Sequence, residues 1–141
     1  MPVESSRVLS KSFDFAVRVV KLYQFLTKEH KEYVLSKQLL RCGTSIGANI
    51  NEAQAGQSRA DFIAKMSIAS KESRETKYWL ELLCVTGYLD NKQPHVASLL
   101  EQTDELIKLL TKIVKTSQAN SKPNTKNQTL KTKTEPGCQR P

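Results

Sequence analysis

The sequence predicts an all-α protein, an antiparallel up-down-up-down four-helix bundle with a disordered basic C-terminal tail. Three observations predict it. Four stretches carry apolar residues at alternating steps of three and four, the period of a helix face. The connections between them are only a few residues long, so consecutive helices must run antiparallel. Residues 116–141 hold almost no aliphatic side chains and cannot offset the entropy of ordering them. At 141 residues the chain fits one domain, placed at residues 1–115.

The first helix is expected over residues 12–30, capped by Ser10 or Ser12. One apolar row is Phe13, Ala16, Val17, Val20 and Tyr23; a second is Phe15, Val19, Leu22 and Leu26. One bundle core needs only one of them. The surplus points to contact with a second chain, hence a homo-oligomer.

The second helix is expected over residues 35–57, on a seam of Leu35, Leu39, Cys42, Ile46, Asn49 and Ala53. Its middle is small, with Gly43, Ser45, Gly47 and Ala48. Each glycine costs a helix about 1 kcal/mol relative to alanine, so two of them call for close approach of a neighbouring helix. A phosphate-binding loop fails, because no Gly-Lys-Ser/Thr follows.

The third helix is expected over residues 59–87. Ser58 and Asp61 form a reduced capping box, and Gly87 is the stop. Phe62, Met66, Ala69, Ser73, Thr76, Leu80 and Leu83 make its seam, with Lys65, Ile68, Glu72, Glu75, Trp79 and Leu82 alongside. The fourth helix is expected over residues 94–115, with Pro94 in its first turn. Val96, Leu99, Thr103, Leu106, Leu110 and Ile113 keep the same seam.

Charge is the main functional signal. Lys and Arg number 22 against 14 Asp and Glu, a net +8. Residues 116–141 carry five bases against Glu135, so half of the excess sits in the tail. That tail reads either as a solubilising extension or as an arm that finds anionic polymers. Within the body, Lys71, Arg74 and Lys77 recur every three residues near Lys65 and are expected to form one basic ridge. The nucleic-acid-binding candidates are therefore Lys65, Lys71, Arg74 and Lys77, with Lys122, Lys126, Lys131 and Lys133 of the tail.

Chemistry is not expected. No apolar run approaches the ~18 residues of a membrane span, and the N-terminus lacks the layout of a secretion signal, so the expected location is cytoplasmic. Cys42, Cys84 and Cys138 are scattered, against both a disulfide framework and a zinc site. His30 and His95 lie near helix ends without partners in sequence. Glu72 and Glu75 share a face but lack the histidine that a di-iron bundle would place three residues on. They are expected to pair with Arg41, Lys71 or Arg74, with Asn49 satisfying a remaining hydrogen bond. No catalytic, cofactor or metal residues are assigned, and no enzyme activity is expected.

The run from Arg41 to Ala53, RCGTSIGANINEA, resembles the signature of four-helix-bundle proteins encoded in intervening sequences of bacterial large-subunit ribosomal RNA genes. Asp61-Phe62, Lys71-Glu72 and the run Glu75 to Leu83, ETKYWLELL, extend the likeness to residues 13–114. Within it, Arg41, Gly43, Ser45, Gly47, Asn49, Glu52, Glu72, Glu75 and Trp79 are the structural motif; members commonly carry Ser where this chain has Cys42. The superfamily includes accessory proteins of diversity-generating retroelements. The resemblance implies a homopentamer and, from the retroelement relatives, a basic surface that binds nucleic acid and a reverse transcriptase. Two functions compete: an oligomeric accessory protein binding RNA first and DNA second through phosphates, and a scaffold docking a protein such as a reverse transcriptase. A bundle enzyme with a buried carboxylate site is a weaker third.

Overall fold

The computed structural model describes residues 3–121 of the chain as four helices: α1 (Val3–Glu29), α2 (Leu35–Gln54), α3 (Arg59–Val85) and α4 (Pro94–Ser121). Each packs on its two neighbours around a closed square, most extensively α2 on α3 and least α1 on α4. The core follows most of the expected seams, but Leu35, Asn49 and Phe62 are only half-buried and Ile50 is buried in place of Asn49. Met66, Ala69, Ser73, Thr76, Leu80 and Leu83 of α3 are buried, as are Val96, Leu99, Thr103, Leu106, Leu110 and Ile113 of α4. The buried hydroxyls of Thr76 and Thr103 are satisfied by carbonyls four residues back, at 2.7 and 2.8 Å.

Helix α1 resolves the question of its two apolar rows. Phe15, Val19 and Leu26 are fully buried, whereas Phe13, Val17 and Val20 are 68%, 39% and 38% exposed. The close approach expected at the glycines is between α2 and α1. A Cβ on Gly43 would lie 2.8 Å from Val19 Cγ1, and one on Gly47 would lie 3.3 Å from Ser12 Oγ. Valine is locked in one rotamer within a helix, so Val19 has nowhere to turn.

Three boundaries differ from expectation. Helix α1 begins at Val3, not near residue 12, and α4 continues to Ser121 instead of ending at Lys115. The two extensions support each other, because the antiparallel pair brings them side by side. Lys112 Nζ lies 2.9 Å from Glu4, and Lys11 Nζ lies 3.0 Å from Glu105. One turn-pair further along, Arg18 Nη1 donates to Ser98 Oγ at 3.1 Å. The positions 4, 11, 18 and 98, 105, 112 step by seven in opposite directions, a polar zipper in heptad register. Residues 116–121, expected in the disordered tail, are therefore helical. Helix α2 ends earlier than expected, at Gln54. Lys122, Lys126, Lys131 and Lys133 lie outside the described residues.

The helix ends show how the turns are made. Ser58 Oγ accepts the Asp61 N–H at 3.1 Å, and Gly87 takes the left-handed φ of +90° while Tyr88 N–H returns to the Leu83 carbonyl at 3.0 Å. The start of α2 is capped by a carboxylate. Buried Glu32 accepts the backbone N–H groups of Val34, Leu35 and Ser36 at 3.0, 2.9 and 2.7 Å, and Ser36 Oγ donates back to the Glu32 carbonyl at 2.7 Å. Burial would raise the Glu32 pKa, but these hydrogen bonds outweigh it and hold the carboxyl below its ordinary value.

Gly43→Leu should lower stability by about 1–3 kcal/mol through overpacking against Val19. Gly47→Ala should stay within about 1 kcal/mol of the parent, since the gain in helix propensity offsets the tight contact with Ser12. Urea unfolding that ranks the two variants the other way contradicts this packing. For Glu32 the native pKa is depressed, so its contribution is present above the unfolded value and is lost as pH falls through the folded one. Glu32→Ala should cost about 1–2 kcal/mol at pH 7, the range for losing a helix cap, and less at acid pH. Equal losses at pH 7 and in strong acid would show that the carboxylate charge is irrelevant.

Candidate nucleic-acid interface

The second half of α4 carries Lys108, Lys112 and Lys115 and no acid; after Glu105 the next acidic residue in the chain is Glu135. Its first half carries Glu101, Asp104 and Glu105. Packing α3 antiparallel beside it sets Arg74 against the basic half. Together Arg74, Ile107, Lys108, Thr111, Lys112, Lys115 and Thr116 line an open groove of about 590 Å³. Arg74 Nη2 donates to the neutral Thr111 Oγ1 at 2.9 Å. Its charge is thus oriented without being cancelled. Lys112 is held by Glu4, while Lys108 and Lys115 are exposed and have no ion-pair partner among the described residues.

The expected ridge is divided. Lys65 pairs with Glu52 of α2 at 2.9 Å, and Lys77 pairs with Asp104 of α4 at 2.9 Å. At about 100° per residue these two point to opposite flanks of α3, with Lys71 between them. The hydrogen bond and charge of Asp104 also raise the Lys77 pKa. Only Lys71 and Arg74 of the four keep a charge uncompensated by an acid among the described residues. The cations that join them, Lys108 and Lys115, come from α4. The sequence signal for this was present as the acid-free stretch after Glu105, but it becomes a surface only once α3 and α4 are placed side by side.

The motif residues build a separate network where α2 meets α3. Arg41 on α2 reaches both carboxylates of α3, with Nη1 3.4 Å from Glu72 and Nη2 bonded to Glu75. Arg41 is the partner, and Lys71 and Arg74 are not. Trp79 Nε1 donates to Glu75 Oε2 at 2.9 Å, and the Trp79 ring meets Tyr78 edge to face at 5.1 Å. The Trp79 hydrogen bond, followed by the Arg41 charge, holds the Glu75 carboxyl below its ordinary pKa against the opposing effect of burial. Asn49, expected to hydrogen-bond this pair, does not reach it; its side-chain amide donates to the Ser45 carbonyl and Oγ at 2.8 and 2.9 Å instead. Burial pushes the Cys42 and Cys84 thiols up, away from reactive thiolate.

A family model described as 23S rRNA-intervening sequence protein matches residues 4–112. The chain belongs to that family. Its structure is also similar to the crystal structure of a protein of unknown function from the S23 ribosomal protein family of Bacteroides thetaiotaomicron. The two share 54% identity over 80% of this chain and 99% of that one, with a TM-score of 0.76. No curated protein matches. Within this family member, Arg41, Glu75 and Trp79 join α2 to α3, and Gly43 and Gly47 join α2 to α1. The run from Arg41 to Ala53 thus serves helix packing in this chain. Among the described residues no cluster of His, Cys, Asp or Glu is arranged to hold a metal, and no helix is long and apolar enough to cross a membrane.

Trp79 is the one tryptophan, so its fluorescence reads this network directly. Over the pH range in which circular dichroism shows intact helices, emission should titrate with a midpoint below the ordinary Glu value of 4.5. Arg41→Ala should move that midpoint upward, because a neighbouring cation favours the ionised carboxylate. An unmoved midpoint would mean that Arg41 does not act on Glu75.

Proposed function

We propose that this chain is a non-enzymatic, homo-oligomeric accessory protein that binds nucleic acid, RNA first and DNA second, mainly through phosphate contacts. The observation that carries the reading is the acid-free groove of Arg74, Lys108, Lys112 and Lys115. Arg74, Lys108 and Lys115, which meet no carboxylate among the described residues, are suited to displace counterions from a phosphate backbone, while Lys112 is shared with Glu4. The basic residues of 122–141 follow directly from the same end of α4 and extend the positive charge. The name of the family supports RNA as the first polymer to test. Rotational symmetry would multiply the groove around a ring and concentrate its potential. A cytoplasmic location and a pentamer accord with this reading.

The second reading is a docking scaffold, with a reverse transcriptase as the candidate partner. The exposed row of Phe13, Val17 and Val20 favours it, since an apolar face on a basic bundle is suited to a protein contact. The same row is the natural subunit contact of a homo-oligomer.

Salt separates the two readings. Binding of single-stranded RNA should weaken with log salt at a slope of about −0.7 per phosphate contact. Replacing Arg74, Lys108 and Lys115 together by Ala should flatten the slope by about 2 and lower affinity, with assembly unchanged. Replacing the ion-paired Lys65 and Lys77 should do less. Equal effects, or no retardation of RNA at ~50 mM salt, count against phosphate binding. Light scattering should return a mass several times the 15.9 kDa of one chain. Phe13→Asp with Val20→Asp should reduce it to one chain, whereas a monomeric parent would remove the oligomer.

A further inference from the structure

Tyr78 is 57% exposed on α3, one turn from Arg74 of the proposed phosphate site. Arg74 precedes it by four residues and Lys71 by seven. That spacing puts all three within about 60° around the helix and about 6 and 10 Å apart along its axis. The acids between Lys71 and Tyr78, Glu72 and Glu75, are both turned to Arg41, and Glu81 lies one turn beyond Tyr78 at the far end of the strip.

Tyr78 is also held. Its ring meets Trp79 at 5.1 Å and 79°, Trp79 is fixed by its N–H to Glu75, and Glu75 is fixed by Arg41 from the neighbouring helix. An exposed aromatic normally loses side-chain freedom when it binds. Here much of that cost is met before any ligand arrives, through a chain of contacts reaching back to α2.

We infer that Tyr78 is a stacking platform for an unpaired base, with Arg74 and Lys71 on the adjacent phosphates, so that the protein prefers single-stranded over duplex nucleic acid. The inference rests on the phosphate-binding reading above and adds the class of strand. Bases in a duplex are stacked on each other and offer no free face, whereas every unpaired base has one. Aromatic rings set among backbone-tracking cations are the recurrent means of holding single strands without reading their sequence. Duplex binding would use the cations alone. The same arrangement gives the Arg41–Glu75–Trp79 network a role beyond packing: it positions the platform.

The test uses the full-length protein, a single-stranded RNA about 16 nucleotides long and the duplex formed with its complement. Tyr78→Leu keeps an apolar side chain at an exposed helix position. It should weaken single-strand binding by about 5- to 150-fold, the range for losing one stacked base, and leave duplex binding unchanged. Tyr78→Trp should retain the preference. Glu75→Ala, which removes the acceptor of the Trp79 N–H, should lose part of the preference. Single-strand affinity unaltered by Tyr78→Leu, or equal loss on both ligands, overturns the platform while phosphate binding stands. A changed assembly mass in Tyr78→Leu overturns it as well, since the face would then be a subunit contact. If the parent protein binds neither RNA, the phosphate reading falls and the platform with it.

Discussion

The absence of a side chain at Gly43 is the constraint on which the rest of the bundle depends. With nothing on that Cα, Val19 closes against the α2 backbone and α1 lies near enough for Ser12 to reach Gly47. That approach fixes the rotation of α1. Phe15, Val19 and Leu26 then enter the core, Arg18 and Lys11 turn toward α4, and Phe13, Val17 and Val20 are left outside. A bulkier residue at 43 would move the axis of α1 and, with it, both the polar zipper to α4 and the exposed apolar row. Gly43 and Gly47 therefore determine which face of α1 is left exposed.

The four sides of the bundle are closed by different means. Small residues close α1 on α2, and a charged and aromatic network ties α2 to α3. The apolar seam of α3 and α4 is nearly continuous, while α1 and α4 meet through heptad-spaced polar pairs. These last are surface ion pairs, each worth little by itself in water. Their role is in register: they set α4 so that its acid-rich half lies beside Lys11 and Arg7 and its basic half is left to the groove with Arg74. Segregation of charge along one helix becomes segregation on the surface because α1 meets the acidic end with Arg7 and Lys11 and takes only Lys112 of the basic end, through Glu4.

Much of the fold was legible because helix faces repeat. The seams of α3 and α4 could be read residue by residue, since a buried stripe at steps of three and four fits the turn of a helix and not the alternation of a strand. The first nine residues of α1 were not legible. Among the residues whose side chains are described, Val8 is the one fully buried large apolar residue there, and partners on α4 support the rest. The Glu32 cap was missed for a related reason: a carboxylate before the helix reaching three backbone N–H groups has no fixed motif comparable to a capping box. The candidate site was half legible. Arg41 with Glu72 and Glu75 followed from charge and spacing, but the ridge did not survive, because Glu52 and Asp104 that neutralise Lys65 and Lys77 lie on other helices. A spacing within one helix says which cations share a face and nothing of the acids that will meet them.

On the proposed reading, uncompensated cations of α3 and α4, and not basic charge in general, make the nucleic-acid surface. Lysine reactivity tests it most directly. Acetylation footprinting by mass spectrometry, with and without single-stranded RNA, compares every lysine in one experiment on the unmodified protein. RNA should protect Lys71, Lys108 and Lys115 while the exposed Lys21, Lys28 and Lys37 on α1 and α2 keep their reactivity. Protection spread evenly over all of these lysines, or confined to α1 and α2, would contradict it.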